Sequence, residues 1–433
     1  MLTYTISSLV AVVVVTLFRF VYRRYTTISV SKVPGPPSGT WLFGRVTDLL
    51  RADVGELQFE WQQQYGPVIR LKGPLGEDFL LVSDPKALQY IYQTSGYRFS
   101  KPPVTRIFLE VLTGKGLFWA AGENHRRQRK VVMPGFGVSE TRAFIPIFFR
   151  TAAKMASLWR DLIAESALED QSAVMDISSW ASRATLDAIG EAVFDYQFGA
   201  LDNSDNPLSN TYRNTLNDTF SKPTNIYLLA TTVFHMMPKW FVRMIIRDAP
   251  ISGLQHWRKA KNMTEDESLR FHPTVPIINR SPTTDDVLPL SVPIALTTGE
   301  VINELPIPKG QKIVASIASY NRFKPIWGED AHMFNPYRWF RPDDGTKGTT
   351  LGMYANLMSF SAGFQGCIGW RIAVLELQAF LIQLIGNFEL TMTPKSDKVR
   401  RQASVVMSPV VEGEREKGTQ LPLTVRAVSR EEE

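Results

Sequence analysis

The stretch FSAGFQGCIG at positions 360–369 contains the only cysteine of the 433-residue chain. Gly363, Gly366 and Gly369 surround Cys367, and a long apolar pattern with helical spacing follows it. A lone cysteine is most often a small buried apolar side chain. Here, however, the glycines allow another group to approach the backbone closely. A thiol just before a helix also has a lowered pKa, because the helix dipole favours the thiolate.

The thiolate is the form of cysteine that attacks carbon or binds a metal. One cysteine cannot form an internal disulfide or a Cys-x-x-Cys redox pair. Zinc requires further ligands, and the five histidines show no metal-ligand spacing. Two roles for the thiolate therefore stay open: a catalytic nucleophile, or the single protein ligand of a haem iron.

A second candidate for chemistry is a charged pair, Glu267 and Arg270, three positions apart on one predicted helix face. On a protein surface such a pair stabilises a helix by only about 0.3–0.5 kcal/mol. Spacing alone therefore favours an exposed pair.

The cysteine loop fits the pattern F-x-x-G-x-x-x-C-x-G at Phe360, Gly363, Cys367 and Gly369. This pattern resembles the haem-binding loop of cytochrome P-450 enzymes, and other segments in chain order resemble further marks of the microsomal, fungal type. These segments are GENHRRQRK with His125 and Arg129, Glu267-Ser-Leu-Arg270 with Phe-His-Pro after it, Pro306–Gly310, Trp327–Ala331, and Phe334-Asn-Pro-Tyr-Arg338-Trp.

The resemblance implies a role for each of these residues. Cys367 is expected to be the axial thiolate ligand of the haem iron, with Phe360 packed beside the sulfur. Glu267, Arg270 and Arg338 are expected to form a buried charged triad that holds the cysteine loop.

The two haem propionates require basic partners. The resemblance implies Arg129 first, then His125, where the family often has tryptophan, and then Arg280. Gln365 departs from the family, which usually has a basic residue two positions before the cysteine. Loss of one charge-assisted contact is expected to cost about 1.5–3 kcal/mol of haem affinity.

A larger departure concerns the family's long central helix with its acid–threonine pair, which relays protons to bound oxygen. The sequence contains no A/G-G-x-D/E-T match; AIGEA at 188–192 lacks the threonine and matches an earlier helix. The segment before Glu267 is too short for that helix, which predicts an internal deletion near 261–264. No catalytic residue is identified for this reason.

The elements around these motifs predict a mainly α fold with small β-sheets, an α+β layout. The patterns predict a helix over 56–66, strands at VIRLKG and DFLLVSD, and helical structure from about 140 to 200. Short strands are expected over 273–320 and in the tail from 394, with a long helix after Cys367. The apolar segment 225–247 is expected to be mostly core.

The N-terminus predicts a membrane anchor over 1–24. Residues 2–18 carry no charge, and Arg19, Arg23 and Arg24 follow them. A cleaved signal peptide would have its positive charge before the apolar run. A proline-rich linker over 25–40, with VPGPP, would then join the anchor to a haem-thiolate monooxygenase domain over 41–433.

The resemblance implies an oxidoreductase that inserts one atom of O₂ into a lipophilic small molecule. Its partners would be an NADPH-dependent flavoprotein reductase and the endoplasmic reticulum membrane, with the body cytosolic. The mild net charge of +6, with scattered Lys and Arg, does not favour a nucleic-acid binder. Two alternatives are a non-catalytic truncated remnant that binds haem weakly or not at all, and a cysteine hydrolase, which would require a histidine base near Cys367.

Overall fold

The computed structural model describes residues 28–166, 170–202, 264–340, 351–402 and 406–428. The predicted anchor over 1–24 and the apolar segment 225–247 lie outside these residues, as do positions 261–263 of the predicted deletion. Among the helices of the described ranges, none is both long and apolar enough to cross a membrane.

The helices of the described residues differ widely in length, and the three longest have 20, 18 and 16 residues. In chain order they are α1 (Val46–Arg51), α2 (Glu56–Tyr65), α3 (Pro85–Gln89), α4 (Pro103–Thr113), α5 (Gly122–Val132), α6 (Val138–Ala143), α7 (Ile145–Ala164), α8 (Ile177–Phe194), α9 (Thr264–Phe271), α10 (Ile317–Tyr320), α11 (Lys324–Trp327) and α12 (Trp370–Ile385).

The strands of the described residues are short. They are β1 (Val68–Lys72), β2 (Asp78–Val82), β3 (Phe99–Ser100), β4 (Ser172–Asp176), β5 (Ile277–Pro282), β6 (Asp286–Ala295), β7 (Val301–Ile307), β8 (Lys312–Ser316), β9 (Phe388–Met392), β10 (Val399–Gln402), β11 (Ser408–Val411) and β12 (Pro422–Ala427).

The largest sheet has the strand order β1-β2-β8-β5-β3. β2 and β8 run parallel, and the other neighbouring pairs are antiparallel. A second sheet, β4-β12-β9, is antiparallel throughout, and β6–β7 and β10–β11 form separate pairs. Helices and small sheets therefore occur together, as the α+β prediction requires.

The two largest apolar clusters of the described residues pack between these helices and sheets. One lies on the five-stranded sheet and includes Leu80, Ile313 and Tyr320, all almost fully buried. The other joins α7, α8, α12 and β12 around Trp159, whose ring packs 5.3 Å from that of Phe388. The second core anchors α12, the helix that follows the cysteine.

Local sequence signals explain several element boundaries. Gly66 ends α2 at a φ of 89°, a conformation that glycine adopts without strain. The Asp84 carboxylate caps α3 through the Ala87 N–H, and Asp176 caps α8 through the Ser178 N–H. The predicted helix over 56–66 and the strands at VIRLKG and DFLLVSD are confirmed.

The prediction of continuous helical structure from 140 to 200 was wrong in one place. Strand β4 lies between α7 and α8 and pairs with β12 from the end of the chain. A partner some 250 residues away supplies its hydrogen bonds, and a local pattern contains no sign of it. AIGEA at 188–192 lies within α8.

Candidate functional site

The cysteine loop contains two short 3-10 turns and ends at the start of α12. Met358–Phe360 forms the first turn and Gly363–Gln365 the second. The Cys367 N–H donates to the Phe360 carbonyl oxygen at 2.8 Å, and α12 begins three residues later. The Cys367 residue is exposed. The loop therefore presents its thiol at the surface of the described residues, near the N-terminus of a long helix.

At position 363 the backbone conformation of the cysteine loop requires a glycine. Its φ is +59°, and a Cβ there would lie 1.9 Å from the Tyr92 carbonyl oxygen. Both the left-handed conformation and the close approach exclude a larger residue. A Cβ at Gly366 would instead meet a side chain, because it would lie 2.6 Å from Cγ of Met353. The loop thus packs directly on Tyr90–Thr94, the helical turn that follows α3 and contains Tyr92.

Phe360 is buried rather than exposed beside the thiol. Its ring meets the edge of the Tyr354 ring at 6.2 Å, and it shares an apolar cluster with Leu269 of α9 and Ala373 of α12. The family resemblance implied that Phe360 packs beside the sulfur; the contacts of its ring join the cysteine loop to α9 and α12.

The structure brings Glu267, Arg270 and Arg338 together, and the Glu267 and Arg270 side chains are 0% exposed. Arg270 is bidentate: Nε lies 2.9 Å from Oε2 of Glu267, and Nη2 lies 2.7 Å from Oε1. Arg338 approaches the same carboxylate with Nε at 3.4 Å and donates its Nη1 to Asp330. The pair is therefore a buried network, not an exposed surface pair.

The protonation of Glu267 follows from these contacts. Burial raises its pKa, but the hydrogen bonds from Arg270 and the Asn335 N–H, with the charges of Arg270 and Arg338, lower it by more. The net pKa lies below the ordinary carboxyl value, so Glu267 is ionised at neutral pH.

Asn321 connects this network to the cysteine loop. Its carbonyl oxygen accepts from Nη1 of Arg270 at 2.8 Å, and its Oδ1 accepts from the Met358 N–H at 3.0 Å. Its Nδ2 donates to Ser359, whose hydroxyl donates to the Leu269 carbonyl at 2.6 Å. The first turn of the cysteine loop is thereby fixed to α9 by hydrogen bonds. Sequence reasoning missed Asn321, although an amide inside an apolar stretch is a usable signal.

Two of the predicted propionate contacts, Arg129 and His125, lie on α5. Nη1 of Arg129 donates to the Gly366 carbonyl oxygen at 2.7 Å, one residue before the cysteine. Burial lowers the pKa of Arg129, and the nearby Cys367 and Tyr97 partly offset this effect. His125 is buried and its Nδ1 lies 2.9 Å from the Tyr97 hydroxyl.

Arg280 lies on β5, beside β3, and its guanidinium lies 4.9 Å from the Tyr92 ring centroid. Lys101 follows β3 directly. Burial, then the charges of Arg280 and Arg106, lower the pKa of Lys101 to about 8. Burial, then the charges of Lys101, Arg129 and Arg280, lower the pKa of His125 to about 4.

Lys101, Arg129 and Arg280 form what we call the cationic cluster. Within the described ranges, no carboxylate forms an ion pair with any of the three. Partly buried cations without a counter-charge are costly unless an anion completes the site. Sequence reasoning found Arg129 and Arg280 but missed Lys101, because β3 and β5 bring it there from far along the chain.

The Gln365 side chain takes no part in this cluster; its amide donates to the Phe99 carbonyl oxygen at 3.4 Å. No three His, Cys, Asp or Glu side chains in the described part of the chain form a group that could hold a metal ion.

The comparisons with known proteins identify the family to which this chain belongs. The family model for cytochrome P-450 matches residues 34–256 and 261–412. Cytochrome P-450 monooxygenase 205 of Postia placenta is 26% identical over 520 aligned positions, which cover 93% of this chain and 94% of that protein. Cytochrome P-450 monooxygenase claQ of Ampulloclitocybe clavipes is 25% identical, over 91% of this chain and 92% of that protein. The chain belongs to the cytochrome P-450 family.

The family implies a haem with a cysteine thiolate ligand, and the residues present fit this group. The exposed thiol, a glycine that permits close backbone approach, and three cations that form no ion pair among the described residues match an iron and two carboxylates. The His125 imidazole contacts the Tyr97 hydroxyl rather than Cys367, so this histidine does not supply the base that a cysteine hydrolase would require.

Proposed function

We propose that this chain is a haem-thiolate monooxygenase that inserts one oxygen atom of O₂ into a lipophilic small molecule. The second oxygen atom leaves as water, and NADPH supplies the two electrons through a flavoprotein reductase. The observation that carries this proposal is the exposed Cys367 thiol beside the cationic cluster, within a chain of the cytochrome P-450 family.

Each part of the site has a task in this proposal. Cys367 would ligate the iron, and haem with a thiolate ligand supplies the oxygen-activating chemistry. Lys101, Arg129 and Arg280 would hold the two carboxylates. Phe360, buried behind the loop, excludes water from that side and keeps the thiolate geometry fixed.

The reductase is proposed to dock near α5. Arg126, Arg127 and Lys130 are exposed on this helix, next to the residue that contacts the cysteine loop. A row of exposed cations favours encounter with an acidic protein surface. Electron transfer would then be expected to slow as the salt concentration rises.

The substrate pocket and the location of the protein are further parts of the proposal. Residues 100–120, together with the segment 225–250, which lies outside the described residues, are proposed to shape an apolar pocket. The uncharged residues 2–18 with Arg19, Arg23 and Arg24 support a single-pass anchor in the endoplasmic reticulum membrane with a cytosolic body.

A second candidate is a non-catalytic remnant that binds haem weakly or not at all. Three observations favour it. The sequence has no match to A/G-G-x-D/E-T, the motif that carries the family's acid–threonine pair. The family match is interrupted at 257–260. The alignments with relatives run over 520 and 506 positions, more than the 433 residues of this chain. These observations support an internal deletion before Glu267.

The carbon monoxide difference spectrum of the reduced, full-length protein tests both candidates. A Soret band at the thiolate position, lost in Cys367→Ser, supports haem-thiolate function. Folded protein without that band supports the remnant. Circular dichroism of Cys367→Ser checks that the variant is folded, so that loss of the band reports on the ligand. Turnover of lipophilic substrates with the reductase then separates haem binding from catalysis.

A further inference from the structure

His125, a predicted propionate contact, forms a pair with Tyr97, a residue that the predicted site did not include. The Tyr97 hydroxyl lies 2.9 Å from Nδ1 of His125, and the two rings meet edge to face at 5.7 Å. The Tyr97 ring also stacks on Phe364 of the cysteine loop, with centroids 5.9 Å apart and 29° between the planes. One tyrosine therefore contacts both α5 and the loop.

The direction of this hydrogen bond follows from the protonation of both groups. Burial raises the pKa of Tyr97, although Arg126 and Arg129 oppose it, so the phenol keeps its proton. The low pKa of the buried His125 keeps the imidazole neutral, with one donor and one acceptor nitrogen. A phenol donates more strongly than it accepts. The Tyr97 O–H therefore donates to Nδ1, and the imidazole proton resides on Nε2.

We propose that Tyr97 is a positioning residue that fixes His125 as the Nε2–H tautomer, so that the ring presents an N–H donor to a haem carboxylate. This inference rests on the proposed function. The carboxylate is an acceptor only, and a ring with its lone pair on Nε2 would repel it.

A neutral donor suits this position better than a further cation. The charges of Lys101, Arg129 and Arg280 already lower the pKa of this ring, and a charged imidazole would add to their repulsion. The Nε2–H group adds a hydrogen bond to the carboxylate without adding charge to the cationic cluster.

Nitrogen-15 NMR of the full-length protein, labelled in its histidine rings and free of haem, tests the tautomer directly. His125→Gln assigns the signal among the five histidines. We expect His125 to carry its proton on Nε2 and Tyr97→Phe to give a mixture of tautomers. A proton on Nδ1 in the unsubstituted protein, or no change in Tyr97→Phe, overturns the proposal. Tyr97→Phe removes only the hydroxyl and keeps the ring that stacks on Phe364.

Haem dissociation, followed by transfer to an excess of apomyoglobin, tests the functional consequence. The amide nitrogen of glutamine stands near the position of Nε2 and donates without any tautomer choice. We expect Tyr97→Phe to speed haem loss about three- to tenfold in the unsubstituted protein and less than about twofold in His125→Gln. Equal acceleration in both backgrounds overturns the proposal.

The two measurements separate this inference from the proposed function. Failure of the full-length protein to bind haem refutes the haem-thiolate function, whereas the NMR measurement still decides whether Tyr97 fixes the tautomer.

His125→Asn is the matched control for the dissociation assay, because its amide reaches only the Nδ1 position. We expect His125→Asn to lose haem faster than His125→Gln.

Discussion

The main-chain N–H of Cys367 donates to the carbonyl oxygen of Phe360 across 2.8 Å, and this bond closes the loop that carries the thiol. The Phe360 ring packs in one cluster with Leu269, whose carbonyl oxygen accepts from the Ser359 hydroxyl. Leu269 lies between the two triad residues of α9. The position of the sulfur is therefore coupled to the buried charges of α9 through neighbouring residues of one turn.

The buried carboxylate of Glu267 is expected to stabilise the fold strongly. Glu267→Gln leaves Arg270 buried without its counter-charge, whereas Arg338 keeps its ion pair with Asp330. We expect this change to lower the free energy of unfolding by about 3–5 kcal/mol. Chemical denaturation measures the change. The control is Glu329→Gln, which removes an ion pair with Lys324 from a side chain that is 88% exposed. That change is expected to stay within about 0.5 kcal/mol, and equal losses would contradict a structural role for the triad.

Acid is expected to weaken the fold in two steps. His125 has a folded-state pKa of about 4, below its ordinary value of 6.5, so protonation of the unfolded chain lowers stability as the pH falls between these values. Glu267 has a depressed pKa, so its contribution is present above the ordinary carboxyl pKa and is lost as the pH falls through the folded value.

Denaturation at a series of pH values separates these two steps. His125→Gln is expected to flatten the pH dependence of the free energy of unfolding between about pH 4 and 6.5. Glu267→Gln is expected to flatten the same dependence at lower pH. A dependence between pH 4 and 6.5 that persists in His125→Gln would assign that step to other groups.

Gly363→Ala is expected to disrupt the cysteine loop. The left-handed backbone alone costs alanine about 1–2 kcal/mol, and the new Cβ would also lie 1.9 Å from the Tyr92 carbonyl oxygen. Gly310→Ala is the matched control, because Gly310 has a φ of +84° but no heavy atom within 4 Å of the Cβ position. We expect Gly363→Ala to lose more stability than Gly310→Ala and to lose haem binding as well. Similar thermal shifts in the two variants would show that the loop can move away from Tyr92.

These residues also indicate how far the sequence predicted the fold and the candidate site. The motif letters placed Cys367, Phe360 and Gly363 in one loop, since the loop is continuous in the chain. The helix over 56–66 followed from its local pattern and its final glycine. Features that depend only on residues close together in the chain can be predicted from the sequence pattern.

Contacts between distant segments were not visible in the same way. Lys101 reaches Arg280 because β3 pairs with β5, and β4 becomes a strand because β12 pairs with it. Tyr97 meets His125 because the turn after α3 packs on the cysteine loop and α5. Each of these relationships depends on strand pairing or packing across many residues, which no short window of sequence contains.

Lys101 is expected to affect haem binding and stability in opposite directions. Its pKa of about 8, well below the ordinary 10.5, shows that its charge is disfavoured at neutral pH. Lys101→Met is therefore expected to stabilise the haem-free protein by about 1–3 kcal/mol at pH 7. The same change removes a carboxylate contact, and we expect haem affinity to fall about tenfold or more. Thermal denaturation without haem and haem titration measure the two effects, and a fall in both would place Lys101 in the structural core instead.

Gln365→Arg should strengthen haem binding by supplying a basic residue two positions before the thiol. The Gln365 amide makes only a long contact, 3.4 Å, to the Phe99 carbonyl oxygen, so its replacement sacrifices little. A charge-assisted contact to a haem carboxylate is expected to slow haem dissociation about tenfold or more. The added cation also joins a cluster without counter-charges, so the haem-free protein should unfold more easily. Gln365→Met, of similar length but without charge or donor, is the control and should bind haem no better than the unsubstituted protein. If Gln365→Arg lost haem as fast as Gln365→Met, position 365 would not face a haem carboxylate, and the cationic cluster would have to hold both carboxylates without it.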